Sequence, residues 1–110
     1  LDGKIWTKYF NLIINSPNKP RDINWILQIE GHTDNLPVKK GQTFIDNWEL
    51  STERALSVLR FFIKNGLNPK RLSASGYGSF QPIETGGNSD SRSKNRRIEM
   101  KITQKLNLND

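Results

Sequence analysis

The sequence predicts a single small α/β domain in which helices alternate with strands. Two kinds of spacing predict this class. Apolar residues recur every three or four positions over residues 3–15, and again between residue 47 and Gly66, as on the buried face of an amphipathic helix. Over residues 25–30 and 98–103 they alternate instead with polar residues, as in a strand with one buried face. At 110 residues the chain suits one core, which we expect to cover residues 3–103.

The first half of the chain divides at its proline-rich and glycine-containing segments. Residues 16–20 contain two prolines and should end the first helix. The strand that follows buries Trp25, Leu27 and Ile29, and Gly31 is expected to end it in a sharp turn. Residues 35–46 are polar and predict a loop.

The second half begins with the longer predicted helix. Its apolar stripe comprises Leu50, Ala55, Val58, Leu59 and Phe62. Asn47 is the predicted N-cap and Gly66 the C′ residue. A short strand at residues 71–76 and a Gly/Ser/Asn-rich loop at 77–93 precede the last strand, and residues 104–110 should fray. Two strands joined through a helix predict a right-handed parallel crossover. The pattern leaves the direction of the last strand open.

Composition limits the function only loosely. The net charge is +6 and the pI is about 9.8, which favours polyanions such as nucleic acid, anionic lipids or a carboxylate-rich cell wall. The absence of cysteine excludes disulfides and thiol chemistry. A single histidine, His32, gives no metal-binding pattern, so we predict neither a metal nor a cofactor.

One opposite-charge pair stands out as a candidate binding site. Asp34 follows the predicted first strand, and Arg54 lies in the first turns of the long helix, so they could face each other across a cleft. Such a pair suits a zwitterion, because a guanidinium binds a carboxylate in a bidentate way and a carboxylate accepts from an ammonium. The alternatives are that Asp34 only caps a turn and that Arg54 only forms a surface pair with Glu53 or Asp46.

Three motifs carry a resemblance to a known family. Residues 31–34 read GHTD, residues 47–55 read NWELSTERA, and residues 95–99 read NRRIE. Together they resemble the OmpA-like peptidoglycan-binding domain, and the Pro37-containing insert resembles its MotB-like branch. The resemblance implies a β/α/β/α/β sandwich with a mixed sheet and helices packed on one face. The family has a further strand before the first helix. Since this chain begins at Leu1, where that strand should have ended, we expect it to be absent.

The resemblance also implies a function. The family binds the diaminopimelate of the peptidoglycan stem peptide and anchors envelope proteins to the wall without catalysis. By the matching positions, Asp34 takes the ligand ammonium, while Arg54 and backbone N–H groups near Leu36 take its carboxylate. Thr33 and Asn47 shape the pocket, and Arg97 lies at its rim. The implied location is periplasmic, in a parent anchored to the membrane by a segment outside this sequence.

Several alternatives stay open at this point. The parent could be a flagellar motor stator, which the insert at residues 36–46 favours, or a lipoprotein or porin-linked anchor; a homodimer is also open. A nucleic-acid-binding module is supported by charge alone, without a helix-turn-helix or RNP-like pattern. A wall-modifying enzyme would use Asp34 and Glu30 as its acid/base couple. Trp48 is interpreted as a core or loop anchor rather than as a ligand stacker.

Overall fold

The computed structural model describes Lys8, Asn11 and residues 25–104. Lys8 and Asn11 are helical, and the rest of the helix predicted at residues 3–15 lies outside the described residues. Of the predicted tail, Gln104 belongs to the last strand, and residues 105–110 lie outside the described part.

Residues 25–104 contain three strands and two helices, joined by loops. The strands are β1 (Trp25–His32), β2 (Leu72–Gly76) and β3 (Arg97–Gln104), and the helices are α1 (Asn47–Lys64) and α2 (Ser89–Asn95), with a 3-10 turn at Pro69–Arg71. The sheet order is β2-β1-β3. β1 pairs in parallel with β2 and antiparallel with β3, which confirms the predicted mixed sheet and settles the direction of the last strand.

The core lies between the central strand and α1. Its buried apolar residues are Trp25, Leu27, Ile29, Ala55, Val58, Phe62 and Leu67. The alternation predicted for β1 is confirmed. Of the apolar stripe predicted for α1, Ala55, Val58 and Phe62 are in the core and Leu59 packs against it, but Leu50 is partly exposed and lies outside this cluster. Each fully buried apolar side chain of this kind contributes about 1.5–3 kcal/mol relative to an exposed one. The sheet and α1 therefore hold each other in place.

Two glycines dock the start of α1 onto the sheet. Gly31 and Gly76 are partners in the parallel register, and a side chain on either would collide with the helix at Ser51 or Thr52. The prediction that Gly31 ends β1 in a sharp turn is therefore wrong, because the strand continues to His32. The glycine is needed because the helix backbone approaches the strand too closely for a β-carbon.

The residue predicted to cap the start of α1 is wrong, and the residue predicted at its end is correct. Asp46, and not Asn47, is the N-cap: its carboxylate accepts from the N–H of Glu49 at 2.9 Å. Asn47 is already inside the helix and uses its side chain elsewhere. Gly66 follows the C-cap Asn65 with a φ of 101°, which confirms the predicted C′ glycine.

The segment predicted as an unbroken loop contains α2. Asn88 caps this helix by accepting from the N–H of Ser91 at 2.8 Å. Its sequence is polar throughout, so it has no apolar stripe that could predict a helix. The buried amide of Asn95 holds it in place, since it accepts from the N–H groups of Ile83 and Glu84 and donates to the carbonyl of Glu84. Among the described residues, no helix has the length and apolarity to cross a membrane.

Candidate functional site: a cationic cleft at the end of the central strand

An open cleft of about 230 Å³ lies where β1 ends and α1 begins. The chain leaves β1 at His32, forms the loop of residues 33–46 and enters the helix. The cleft is lined by Thr33, Asp34, Leu36, Pro37, Val38, Lys39, Gln42, Asn47, Leu50, Arg54 and Arg96. It therefore brings together Asp34 and Arg54, which are 20 positions apart in the sequence.

Asp34 is a nearly buried carboxylate with both oxygens engaged. Its side chain is 12% exposed. One oxygen, Oδ1, accepts from the N–H of Leu36 at 3.0 Å, and the other, Oδ2, accepts from Arg96 at 2.7 Å. The turn-capping reading of Asp34 is thus correct, and the residue faces the cleft as well. The N–H of Leu36 thus donates to Asp34, and the expected role of backbone N–H groups near Leu36 in binding a ligand carboxylate stays a prediction.

Thr33 and Asn47 shape the loop that carries Asp34. Thr33 is buried and donates its hydroxyl to the carbonyl of Asp34 at 2.9 Å. Asn47 donates its amide to the carbonyl of Leu36 at 3.0 Å and, more weakly, to that of Asp34 at 3.4 Å. The first turn of α1 is therefore tied to the loop across the cleft, which limits how far Asp34 can move relative to Arg54.

Arg54 lies on the opposite wall, about two turns into α1. Its side chain is partly exposed, lines the cleft, and forms neither a hydrogen bond nor an ion pair within the described part of the chain. The predicted alternative of a surface pair with Glu53 or Asp46 is not seen: Glu53 is 3.9 Å from Arg60 instead, and Asp46 caps the helix. A guanidinium in this position is available to an anion in the cleft.

The cleft contains the arginine that follows Asn95, and not the next one. Arg96 pairs with Asp34, whereas Arg97, the residue expected at the rim, is absent from the lining. Arg97 donates instead to Glu99 and to the carbonyls of Gln81 and Asn95. The resemblance named Arg97 and not Arg96 for this site, whereas the lining contains Arg96.

Formal charge defines what the cleft can bind. Three cationic side chains, Lys39, Arg54 and Arg96, line it with a single carboxylate, Asp34. Lys39 and Arg96 were not predicted from the sequence, because a lysine in a polar loop and one of two adjacent arginines carry no signal of their own. A ligand that matches this set has more negative than positive charge, and has one cationic group for Asp34.

The neighbouring titratable groups lie outside this cleft. His32 is buried and stacks on Tyr77 with 5.1 Å between ring centroids. Burial, and next the charge of Arg97, lower the pKa of His32, against the opposite effects of Glu99 and Glu30. Glu30 accepts from Gln28 and from the Tyr77 hydroxyl and does not line the cleft. The two carboxylates of the enzyme alternative thus do not share this site.

Comparison with known proteins gives a consistent relationship. The model of the OmpA family matches residues 8–96. Motility protein B of Bacillus subtilis is 42% identical over 93 residues, which are 84% of this chain and 33% of that protein. The peptidoglycan-associated lipoprotein of Pseudomonas aeruginosa is 34% identical over 73 residues, covering 66% of this chain and 40% of that one.

Solved structures extend the relationship to the fold. The crystal structure of the C-terminal domain of Helicobacter pylori MotB superposes with a TM-score of 0.79 at 29% identity, covering 94% of this chain and 74% of that chain. The chain spans only about a third of the length of the motility proteins that it matches. It therefore corresponds to one part of those proteins.

Proposed function

Because the chain belongs to the OmpA family, we propose that it binds peptidoglycan without catalysis, through the diaminopimelate of the stem peptide. The observation that carries the proposal is the cleft in which a nearly buried carboxylate, Asp34, faces a partly exposed guanidinium, Arg54. The free end of a diaminopimelate side chain has an ammonium and a carboxylate on one carbon. These two groups match the two walls of the cleft.

Binding exchanges one cation at Asp34 for another. The ligand ammonium takes the place of the Arg96 guanidinium at Oδ2, while Oδ1 keeps its bond to the N–H of Leu36. Arg54 then holds the ligand carboxylate in a bidentate contact. The displaced Arg96, whose side chain is 43% exposed, and Lys39 face the further carboxylates of the stem. The net positive charge of the cleft is therefore complementary to an acidic peptide.

The relatives support a tether as the role of the parent protein. Two of them are named for motility and one for association with peptidoglycan. We propose that the chain is the wall-binding part of a membrane-anchored stator subunit located on the outer side of the membrane, which is periplasmic where an outer membrane exists. The alternative kind of parent protein is a wall-bound lipoprotein or a porin-linked anchor. Affinity per site is modest, and many copies on one wall compensate by avidity.

Sedimentation with purified sacculi tests the proposal. We expect the chain to co-sediment with walls that contain diaminopimelate, and less with walls whose third stem residue is lysine, which lacks the second carboxylate. Arg54→Ala should weaken binding about tenfold or more, since a charge-assisted bond is worth roughly 1.5–3 kcal/mol. Arg54→Lys should retain only part of the affinity that Arg54→Ala loses, because an ammonium cannot form the bidentate contact.

A matched control lies on the same helix. Arg60 is 65% exposed and forms a loose ion pair with Glu53 at 3.9 Å. Arg60→Ala therefore removes one positive charge, as Arg54→Ala does, but at a position outside the cleft. Thermal melts of both variants should match the parent. Equal retention on both wall types, or equal losses for Arg54→Ala and Arg60→Ala, would show that charge alone drives binding and would remove the clamp. Recovery of the muropeptides unchanged by mass tests the non-catalytic part separately.

A further inference from the structure

Two aromatic side chains form an exposed pair beside the cleft. Trp48 is 50% exposed and Phe80 is 68% exposed. Their ring centroids are 5.0 Å apart with 25° between the ring planes, so the rings are stacked. Each ring covers one face of the other and leaves outer apolar surface open to solvent. Of the two roles interpreted from the sequence, a core anchor or a loop anchor, the first is therefore wrong for Trp48.

The pair stands on a fixed base. Gly78, with a φ of 60°, lies beneath both rings, and a β-carbon there would be 3.4 Å from Phe80 and 3.5 Å from Trp48. The N–H of Gly78 donates to the hydroxyl of Ser51 at 2.9 Å, and its carbonyl accepts from the N–H of Thr33 at 2.9 Å. The base is therefore bonded to both α1 and the end of β1. A platform held in this way loses little freedom when a ligand binds.

The segment that carries Phe80 is neutral in sequence, unlike the lining of the cleft. Residues 72–83 contain no charged side chain, in a chain where one residue in four is charged. Phe80 lies within this neutral segment. A flat, uncharged and solvent-exposed aromatic surface suits the C–H face of a sugar ring, whose hydroxyls stay in water at its rim. It does not suit the acidic stem peptide that the cleft attracts.

The platform is continuous with the cleft. Asn47 lines the cleft and Trp48 is the next residue of α1, while Thr33 lines the cleft and bonds to Gly78. In peptidoglycan the stem is covalently attached to a glycan strand. Diaminopimelate is the third stem residue, so a tether on the order of 10 Å connects it to the sugar. A stem bound in the cleft therefore keeps its sugar close to the residues that carry the platform.

We infer that the Trp48–Phe80 pair is a glycan subsite, on which a sugar ring of the strand stacks while the attached stem occupies the cleft. The inference rests on the proposed function for its geometry. It adds a second contact, specific for the sugar, to a site that otherwise reads only the peptide. The expected contribution is about three- to tenfold in affinity.

Paired ligands test the inference. The intact chain is titrated with a disaccharide-bearing muropeptide, with the same stem peptide without sugar, and with a stem-free N-acetylglucosamine oligomer. We expect the muropeptide to bind about three- to tenfold more tightly than the bare stem. Phe80→Ala and Trp48→Ala should abolish that difference and leave affinity for the bare stem unchanged, while Trp48→Tyr keeps part of it. Ile83→Ala is the control, since Ile83 is 58% exposed in the same neutral segment.

The outcomes separate the two proposals. If the bare stem fails to bind the parent, the cleft proposal fails; the oligomer then tests the platform directly, because binding that Phe80→Ala abolishes supports the glycan subsite and an absence of binding overturns it. Equal affinity of the parent for muropeptide and bare stem overturns the glycan subsite. So does an equal loss of both ligands in Phe80→Ala, because the pair would then only shape the cleft. Self-association of the parent that Phe80→Ala abolishes would assign the surface to a second copy instead.

Discussion

Two arginine–carboxylate pairs begin at adjacent residues of the chain and differ in which partner is buried. In the cleft pair, Asp34 is 12% exposed and Arg96 is 43% exposed. In the second pair, which lies on β3, the proportions are reversed: Arg97 is 16% exposed and Glu99 is 49% exposed. Arg97 also donates to two backbone carbonyls, whereas the guanidinium of Arg96 donates to Asp34 alone within residues 25–104.

The difference separates a structural ion pair from an exchangeable one. A mostly buried guanidinium with three acceptors holds segments together, since removing it deprives those acceptors of their donor. A buried carboxylate whose cation extends into solvent can exchange that cation for another at little cost. Exposure of the cation, more than the presence of an ion pair, thus indicates which of the two pairs can serve a ligand.

The largest expected effect on stability comes from removing the mostly buried guanidinium of Arg97. Arg97→Ala should lower the free energy of unfolding by about 1.5–3 kcal/mol, because the carbonyls of Gln81 and Asn95 lose a charged donor. Urea denaturation measures the change. Muropeptide binding by the folded variant should be unchanged, and a binding loss without a stability loss would reverse the assignment of the two pairs.

Removal of one charge from each pair should separate them in binding. Asp34→Asn keeps the size of the side chain but leaves a ligand ammonium without its carboxylate, so muropeptide affinity should fall about tenfold. Glu99→Gln makes the same charge change in the β3 pair and should alter affinity by less than about twofold. Calorimetric titration of both variants provides the comparison, and equal losses would mean that net charge alone determines binding.

The burial of His32 beside the β3 pair should also make stability depend on pH. Burial and Arg97 lower the pKa of His32, so the unfolded chain binds more protons as the pH falls below about 6.5. Stability should therefore be complete above that pH and decline below it, with a slope of at most about 1.4 kcal/mol per pH unit. Denaturation between pH 7.5 and 5.5 measures this decline. His32→Phe keeps the stack on Tyr77 and should flatten it; an unchanged slope would assign the decline to other groups.

The smallest effect is expected from the exposed cation of the cleft pair. Arg96→Ala should lower the free energy of unfolding by less than about 1 kcal/mol, as is usual for ion pairs open to solvent. Thermal melting beside Arg97→Ala is the measurement. A loss as large as that of Arg97→Ala would show that Arg96 is a structural residue and does not yield to a ligand.

Much of the fold was predictable because burial leaves a periodic pattern. The alternation in β1 and the stripe in α1 each follow from one face contacting the core. The helix α2 was not, since it buries only Ser91 and Asn95, and its stability comes from hydrogen bonds that have no sequence period. The role of Gly31 was missed for a similar reason, because a close approach by Ser51 is a tertiary contact.

The site was predictable only as far as its motifs reach. Asp34 and Arg54 were predicted to share a cleft, and the structure places both in its lining. Asp46 and Asn47 are both good capping residues, so composition alone could not show that Asp46 caps the helix and Asn47 bonds to the loop. Arg96 and Arg97 are chemically identical, and the start of β3, which decides their directions, was not visible in the pattern.

The position of Asp34 next to β1 has a mechanical consequence. β1 is the middle strand, and its backbone is paired with β2 on one side and β3 on the other. If the cleft holds the wall and the tether pulls from the other end of β1, tension runs along the axis of this strand. The rows of hydrogen bonds on both sides then bear the force together in shear, rather than opening one after another like a zipper. A domain that resists a pull in this direction is suited to stay folded until its grip on the ligand gives way.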